Sequence, residues 1–250
     1  MEASLPQYFS SLKPFAALFA AGRPVLTYHK LGPRPRRVRL KGLYMGERLF
    51  ARQLAELRSA GFDSVPLGPP VACAAPNRSI VLTFDDGFRS VLEHGLAPLA
   101  ANGFTATQFL VADRLGGQND WEIAEGETPA PLMSPTEVRE WLAAGHAIGS
   151  HSLTHPHLTR IPAAQAREEI SASKKKLEDL FGRPVEHFCY PYGDWSPAIR
   201  DLVAEAGYRT ACTTQAGVNF DGADPFALRR FTARYASRNL KVLWARLRVG

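Results

Sequence analysis

The chain alternates between short β-rich apolar runs and longer amphipathic segments, and this alternation limits the folds open to it. The pattern starts with a strand at 25–28 and a helix over 47–57 that ends at Gly61. Parallel strands joined by crossover helices produce such a pattern, so we expect an α/β barrel or an open doubly wound sheet. Later strands are predicted at 80–84, 106–111, 146–149, 186–190 and 208–212, and later helices ending near Leu99, over 135–144, over 162–181 and from Ser196-Pro197.

Length, cysteine content and hydropathy narrow the class of protein. The 250 residues contain no internal repeat or low-complexity linker, so we expect a single domain over 1–250 with its core at about 22–235. The cysteines Cys73, Cys189 and Cys212 lack metal-ligand spacing and cannot all pair, which favours a reducing compartment. The apolar stretch 15–21 is too short for a membrane span and does not look like a signal peptide. The sequence therefore predicts a cytoplasmic protein.

Positive charge is concentrated in one short segment. The net charge is +6, and five cations lie between Arg34 and Lys41. No recognised nucleic-acid-binding module accompanies them, so nucleic acid is not expected as a partner. The segment could attract a phosphate-bearing substrate or contact an anionic membrane surface, and a solvated loop is the alternative interpretation.

Two adjacent carboxylates end the predicted strand 80–84. The run Thr83-Phe-Asp-Asp-Gly87 places Asp85 and Asp86 where parallel α/β domains place their active sites. Because neighbouring side chains at a strand end can diverge, one carboxylate could bind a cation while the other acts as a base. Asp-Gly is also a common turn pair, so a turn that caps the next helix is the alternative.

Two histidines follow the strand 146–149. In His151-Ser-Leu-Thr-His155 they are four residues apart, and on a helical turn they would face the same side. Two imidazoles and one carboxylate form a three-ligand site with an open position, as in catalytic zinc sites. We therefore predict one divalent metal ion, with zinc as first choice and cobalt, nickel or iron as alternatives. His157, nearby, is interpreted as a loop histidine.

A third motif, Cys189-Tyr-Pro-Tyr-Gly-Asp-Trp195, ends the strand 186–190. Its proline and glycine suit a backbone N–H aimed into a cleft, as an oxyanion hole requires, and its aromatic rings could stack on a sugar. An aromatic-rich turn without function is the alternative. Two long loops, at Gly68-Pro-Pro70 and from Leu115 to Met133, could be functional, and Trp121 in the second could shape a substrate cleft.

Together these motifs resemble the polysaccharide deacetylases of carbohydrate esterase family 4, the family with the NodB-homology domain. The motifs of 83–87, 151–155 and 190–193 match its first three motifs in order and spacing. The resemblance implies a distorted (β/α)7 barrel. It also implies that Asp86, His151 and His155 hold the metal and that Asp85 is the general base.

Two features depart from the common pattern of that family. Cys189 stands where many members carry an arginine that orients the base, and no histidine follows His187 to supply the usual late acid. The start of the chain is similar to the permuted branch that includes poly-N-acetylglucosamine deacetylases, in which a Tyr-His pair on the first strand supplies the acid. Here that pair is Tyr28-His29, although a polar residue at a strand end is the simpler interpretation. Arg229 or Arg230 could replace the missing arginine.

These assignments predict a metal-dependent hydrolase that removes an acetyl or other acyl group from an amino sugar. Asp85 would take a proton from water, the Tyr192 backbone N–H would stabilise the oxyanion, and His29 would protonate the departing amine. The expected partner is an amino-sugar saccharide or its nucleotide- or lipid-linked precursor. Hydrolysis of a non-sugar amide and binding of carbohydrate without turnover are the alternatives. The predicted substrate contacts are Tyr190, Pro191, Trp195 and Arg230.

Overall fold

A computed structural model describes residues 6–68, 78–123 and 126–235. Eleven strands are found in these ranges: β1 Arg23–Tyr28, β2 Lys30–Leu31, β3 Tyr44–Met45, β4 Asp63–Ser64, β5 Ser79–Phe84, β6 Thr107–Leu110, β7 Ala147–Ser150, β8 His187–Cys189, β9 Thr210–Cys212, β10 Val218–Asn219 and β11 Phe231–Thr232. The α-helices in the same ranges are α1 Ala16–Ala21, α2 Glu47–Ser59, α3 Arg89–Ala101, α4 Pro135–Ala143, α5 Ala163–Phe181 and α6 Pro197–Glu205.

The predicted α/β barrel is confirmed as a curled, mostly parallel sheet. Its path runs β1-β5-β6-β7-β8-β9, with every neighbouring pair parallel. The segment 228–232 joins the two ends of this path, because Leu228 pairs with Cys212 of β9 and Phe231 pairs with Leu26 of β1. Counting that segment, seven parallel positions surround the core, as the distorted (β/α)7 barrel requires.

Local sequence signals place the main helices where they were expected. Ser134 and Glu137 form the predicted capping box at the start of α4, with Pro135 in the first turn. Helix α5 ends at Gly182, whose φ of 63° lies in the left-handed region that glycine tolerates. Each helix then returns the chain to the amino-terminal end of the next strand.

The core is continuous from the sheet to the surrounding helices. Strand β5 is buried along its whole length, so its side chains contact apolar residues on both faces. The segment 6–21 was not predicted to be structured, yet it packs Phe9, Phe15 and Phe19 around Phe231 beside β11. These rings cover the sheet where β11 pairs with β1.

Some predictions on the sequence are not tested by this structure. Cys73 and most of the loop at Gly68-Pro-Pro70 lie outside the described residues. Within the described ranges, no helix has the length and apolar character needed to cross a bilayer. The single-domain boundary at 1–250 and the cytoplasmic location stay predictions.

Candidate active site

The carboxyl ends of β1, β5, β7 and β8 converge on one cavity of about 260 Å³. Parallel α/β barrels build their active sites at this end because the loops that follow all the strands meet there. The cavity is lined by His29, Leu40, Leu43, Asp85, Asp86, Glu122, His151, His155, Tyr190, Tyr192, Gly193 and Thr214.

The two adjacent carboxylates point to different partners, as their position at a strand end allowed. Asp86 faces the histidines, whereas Asp85 faces Arg230. Asp86 has a φ of 76°, a left-handed conformation that is uncommon for a residue other than glycine. Strained backbone of this kind is found at functional sites, where the surrounding structure holds it.

Asp86, His151 and His155 form a buried three-donor group. Oδ1 of Asp86 lies 3.4 Å from Nε2 of His151 and 3.4 Å from Nε2 of His155. All three donor atoms lie within 4.8 Å of one another. Metal–ligand bonds of about 2.0–2.2 Å in a tetrahedron separate neighbouring ligands by about 3.4 Å, so the donors fit a zinc-sized ion.

The ring orientation of His151 and the neutral state of His155 suit a metal. Burial alone would lower the pKa of His151, but Cys189 and the hydrogen bond with Asp86 raise it well above its usual value, so a bound metal would displace the Nε2 proton. Nδ1 of His151 donates a hydrogen bond to the backbone oxygen of Cys189 at 2.7 Å, because a carbonyl can only accept. In the neutral ring this leaves the lone pair of Nε2 facing Asp86, the orientation that metal-bound histidines share. Burial lowers the pKa of His155 to about 4, so its ring is neutral near pH 7.

The prediction that the two histidines share a helical turn is wrong. Residues 151–157 form a loop, in which Ser152 and His155 have φ values of 66° and 71°. The Ser152 side chain accepts a hydrogen bond from the His155 backbone N–H at 2.9 Å. This local hydrogen bond competes with helix formation. The His155 ring therefore faces His151 from a loop and not from a helical turn.

Asp85 is held by a buried arginine. Nη1 and Nη2 of Arg230 donate to its two carboxylate oxygens, each at 2.8 Å, and the arginine is 1% exposed. Burial alone would raise the pKa of Asp85, but the charge and hydrogen bonds of Arg230 keep that pKa below its usual value. Asp85 is therefore ionised at neutral pH.

Arg230 occupies a different place from the one predicted for it. It does not line the cavity, so the structure gives no support to a substrate contact; instead it lies behind Asp85, beside the sulfur of Cys189 at 3.1 Å. Of the two arginines considered as a replacement, Arg230 contacts Asp85, whereas Arg229 is exposed. Asp85, His151 and Cys189 also converge, but the Arg230 charge on Asp85 opposes a second cation there.

His29 and the turn 191–193 complete the cavity. Nε2 of His29 lies 3.9 Å from Oδ2 of Asp85, and its side chain is 19% exposed. Tyr192 has a left-handed φ of 60° and lines the cavity together with Tyr190. Pro191 and Trp195 do not line it, although the Trp195 ring stacks on Tyr190 at a centroid distance of 6.1 Å.

The loop 115–133 contributes Glu122 to the cavity lining and packs Trp121 against one of the metal-site rings. Trp121, which was expected to shape the cleft, does not line the cavity and instead stacks on the ring of His155 at 4.4 Å. Glu122, which was not predicted, lines the cavity and pairs with the buried Lys30 at 3.1 Å. Lys30, the residue after His29, therefore ties the start of β2 to the loop 115–133.

The donor group predicts a loss of metal in a histidine variant. We expect His151→Ala to weaken zinc binding more than 100-fold, since losing a residue that only orients a ligand already costs about 10–100-fold. Zinc content and affinity after dialysis measure this. His157→Ala is the matched control, because His157 stacks on Tyr192 and is outside the donor group. One zinc bound with unchanged affinity in His151→Ala would contradict the assignment.

Comparison with known sequences identifies the family. The family profile described as polysaccharide deacetylase matches residues 73–211, more than half of the chain. The chain belongs to the polysaccharide deacetylase family. The matched region contains Asp85, Asp86, both predicted histidine ligands and the aromatic turn, whereas His29 and Arg230 lie outside it.

Curated relatives cover only part of this chain. A chitooligosaccharide deacetylase of Azorhizobium caulinodans is 28% identical over 57% of this chain and 61% of its own length. The peptidoglycan-N-acetylglucosamine deacetylase PgdA of Listeria monocytogenes is 29% identical over 69% of this chain and 31% of its own length. The chain thus spans less than two thirds of either relative.

Solved structures share the fold over nearly the whole chain. IcaB from Ammonifex degensii has a TM-score of 0.73 at 23% identity and is covered to 96%, with 90% of this chain aligned. The Streptococcus pyogenes deacetylase PplD has a TM-score of 0.72 at 17% identity, with 89% of this chain and 97% of that one aligned. At these identities the likeness establishes the fold.

Proposed function

We propose that this polysaccharide deacetylase family member is a metal-dependent hydrolase that removes the N-acetyl group from amino-sugar residues of a saccharide. The observation that carries the proposal is the divergence of Asp85 and Asp86 within one cavity. One carboxylate joins a histidine pair at tetrahedral ligand spacing, and the other is ionised and held by Arg230. The relatives named for deacetylation of chitooligosaccharide and peptidoglycan support an amino-sugar substrate.

Asp86, His151 and His155 would hold a divalent ion, which polarises an acyl carbonyl and lowers the pKa of a bound water. Asp85 is placed to remove the proton from the attacking water, because it lines the same cavity and its carboxylate is kept ionised by Arg230. Attack on the acyl carbon and cleavage of the carbon–nitrogen bond give acetate and a free amine.

The remaining groups would act on the oxyanion and on the leaving nitrogen. The turn 191–193 brings the Tyr192 backbone to the cavity wall, where its N–H is proposed to stabilise the oxyanion. His29 is proposed to protonate the amine. Burial lowers the pKa of His29, although the Asp86 and Asp85 carboxylates oppose that shift. Because a lower pKa leaves the ring mostly neutral near pH 7, His29 would first take up the proton that Asp85, 3.9 Å away, removes from water, and would then pass it to the amine.

The alternative of a binding protein without turnover rests on two features, Cys189 in place of a base-orienting arginine and the missing late histidine. For each of them another residue is available at the site. Arg230 contacts the base from the segment before β11, so Cys189 need not do so. His29 follows β1 and lines the cavity. It would supply the acid in place of the late histidine, which the sequence lacks. The arrangement therefore supports an active hydrolase.

Acetate release tests the proposal directly. Metal-stripped protein is expected to release no acetate from N-acetylglucosamine oligomers, and added zinc or cobalt should restore release. The same assay with a non-sugar acetamide separates the amino-sugar substrate from a general amide. If neither metal restores release from any oligomer, the proposed function is wrong.

A further inference from the structure

The basic segment between β2 and β3 forms one edge of the catalytic cavity. Leu40 and Leu43 line the cavity, and Val38 is buried beneath the segment. We call residues 34–41 the basic rim. Its exposed cations are Arg34, Arg36, Arg37, Arg39 and Lys41. The segment that carries these five exposed cations therefore adjoins the cavity through Leu40.

The basic rim is anchored through its main chain. The buried carboxylate of Glu127 accepts hydrogen bonds from the backbone N–H groups of Arg39 at 3.0 Å and Leu40 at 2.7 Å. This fixes the segment without using the charges of Arg36 and Arg37. Across 6–68, 78–123 and 126–235, no carboxylate lies within 4.0 Å of the cationic groups of those two arginines.

A further cation reaches the same edge from the end of the described chain. The Arg234 guanidinium packs against Gly42, in the space that a side chain at that position would need. Arg234 also stacks over the Tyr8 ring at 4.0 Å, which orients it. The edge of the cavity therefore gathers positive charge from two separate parts of the sequence.

The size of the cavity and the charge at its edge indicate which part of a substrate would lie against these cations. A volume of about 260 Å³ is below the roughly 300–1,000 Å³ that hold drug-sized ligands, so the cavity suits one sugar residue. Groups attached to that sugar must lie at the edge. Several cations together match a multiply charged anion, and arginine binds phosphate oxygens in pairs.

We propose that the basic rim binds a phosphate-bearing part of the substrate, a diphosphate or phosphodiester attached to the amino sugar that is deacylated. This inference rests on the proposed function, since it concerns the same cavity. A nucleotide-linked sugar and a phospholipid-linked saccharide share this chemistry. The experiment therefore tests both sources.

The test compares two charge-matched variants of the full, zinc-loaded chain. R36Q/R37Q removes two charges from the basic rim, and R52Q/R183Q removes two exposed charges that do not line the cavity. Calorimetry with uridine diphosphate gives the first arm. We expect the Kd to rise about tenfold in R36Q/R37Q and to change less than about twofold in R52Q/R183Q, with the difference shrinking at high salt.

The second arm measures binding to vesicles of phosphatidylglycerol, with phosphatidylcholine vesicles as control. Loss of binding only to the anionic vesicles, and only in R36Q/R37Q, supports the lipid source, whereas the calorimetric effect supports the nucleotide source. Equal behaviour of both double variants in both arms, or no binding by the natural sequence in either, would overturn the proposal.

A neutral N-acetylglucosamine oligomer separates this inference from the proposed function. Its kcat/KM is expected to stay within about twofold in R36Q/R37Q, because the oligomer carries no phosphate. Metal-dependent acetate release from the oligomer, together with no effect of the rim charges on the binding of uridine diphosphate or of anionic vesicles, contradicts the phosphate site alone. Phosphate binding through the rim without acetate release from any substrate contradicts the deacetylase function and leaves the rim site standing.

Discussion

Replacing Asp85 with asparagine is expected to lower kcat for acetate release by about 10²–10⁴-fold, the range that a positioned general base contributes. Asparagine keeps the shape of the side chain and can still accept a hydrogen bond from Arg230, but it cannot take a proton from water. The zinc content should remain at one ion, because the three-donor group uses Asp86 and not Asp85. Acetate release and metal content on the same preparation give both readouts.

The stability of this variant must be measured alongside its activity. Arg230 is buried, so the loss of its carboxylate partner leaves an uncompensated charge and lowers the free energy of unfolding. Activity is therefore compared at a temperature where both proteins are folded. Asp113→Asn is the control, because Asp113 forms a part-exposed ion pair with Lys176. Full activity in Asp85→Asn would show that Asp85 is not the general base.

The fold was predictable because its signals are local. Strands of apolar residues and helices with caps recur along the chain, and each signal needs only a few neighbouring residues. Pro135 and Ser134 fixed the start of α4 in this way. The packing of 6–21 around Phe231 was missed because it joins distant parts of the sequence.

The residue types of the site were predictable from its motifs, whereas only the family resemblance assigned Asp86 to the metal and Asp85 to the base. Motif spacing identified Asp85, Asp86 and the histidine pair, but it could not show which carboxylate faces which partner. That choice depends on the left-handed φ of Asp86, and Asp-Asp-Gly is compatible with several turns.

Of the two buried ion pairs, Lys30–Glu122 was not predicted, and Arg230 was predicted only as one of two arginines that could orient the base Asp85. Lys30 and Arg230 are each about 1% exposed, although lysine and arginine are mostly exposed in proteins. Their partners are 92 and 145 residues away. Only the folded sheet brings such pairs together, so no local pattern could have found them.

Arg230→Met is expected to lower the free energy of unfolding by about 3–5 kcal/mol, the cost of leaving one member of a buried ion pair alone. Methionine fills much of the space, so the main loss is the pair of hydrogen bonds to Asp85. Without them, burial raises the pKa of the Asp85 carboxyl group and weakens its orientation. Urea unfolding measures the stability, and kcat should fall in the same variant.

A double variant separates the effect of charge on stability from the effect of packing. Asp85→Asn/Arg230→Met removes both charges, so it should recover part of the stability lost in Arg230→Met while remaining inactive. Arg229→Met is the matched control: Arg229 is exposed, and its replacement should change stability by less than about 0.5 kcal/mol. If the double variant is no more stable than Arg230→Met, packing and not charge compensation is what Arg230 provides. If instead part of the stability returns, the loss in Arg230→Met comes from the uncompensated charge of Asp85.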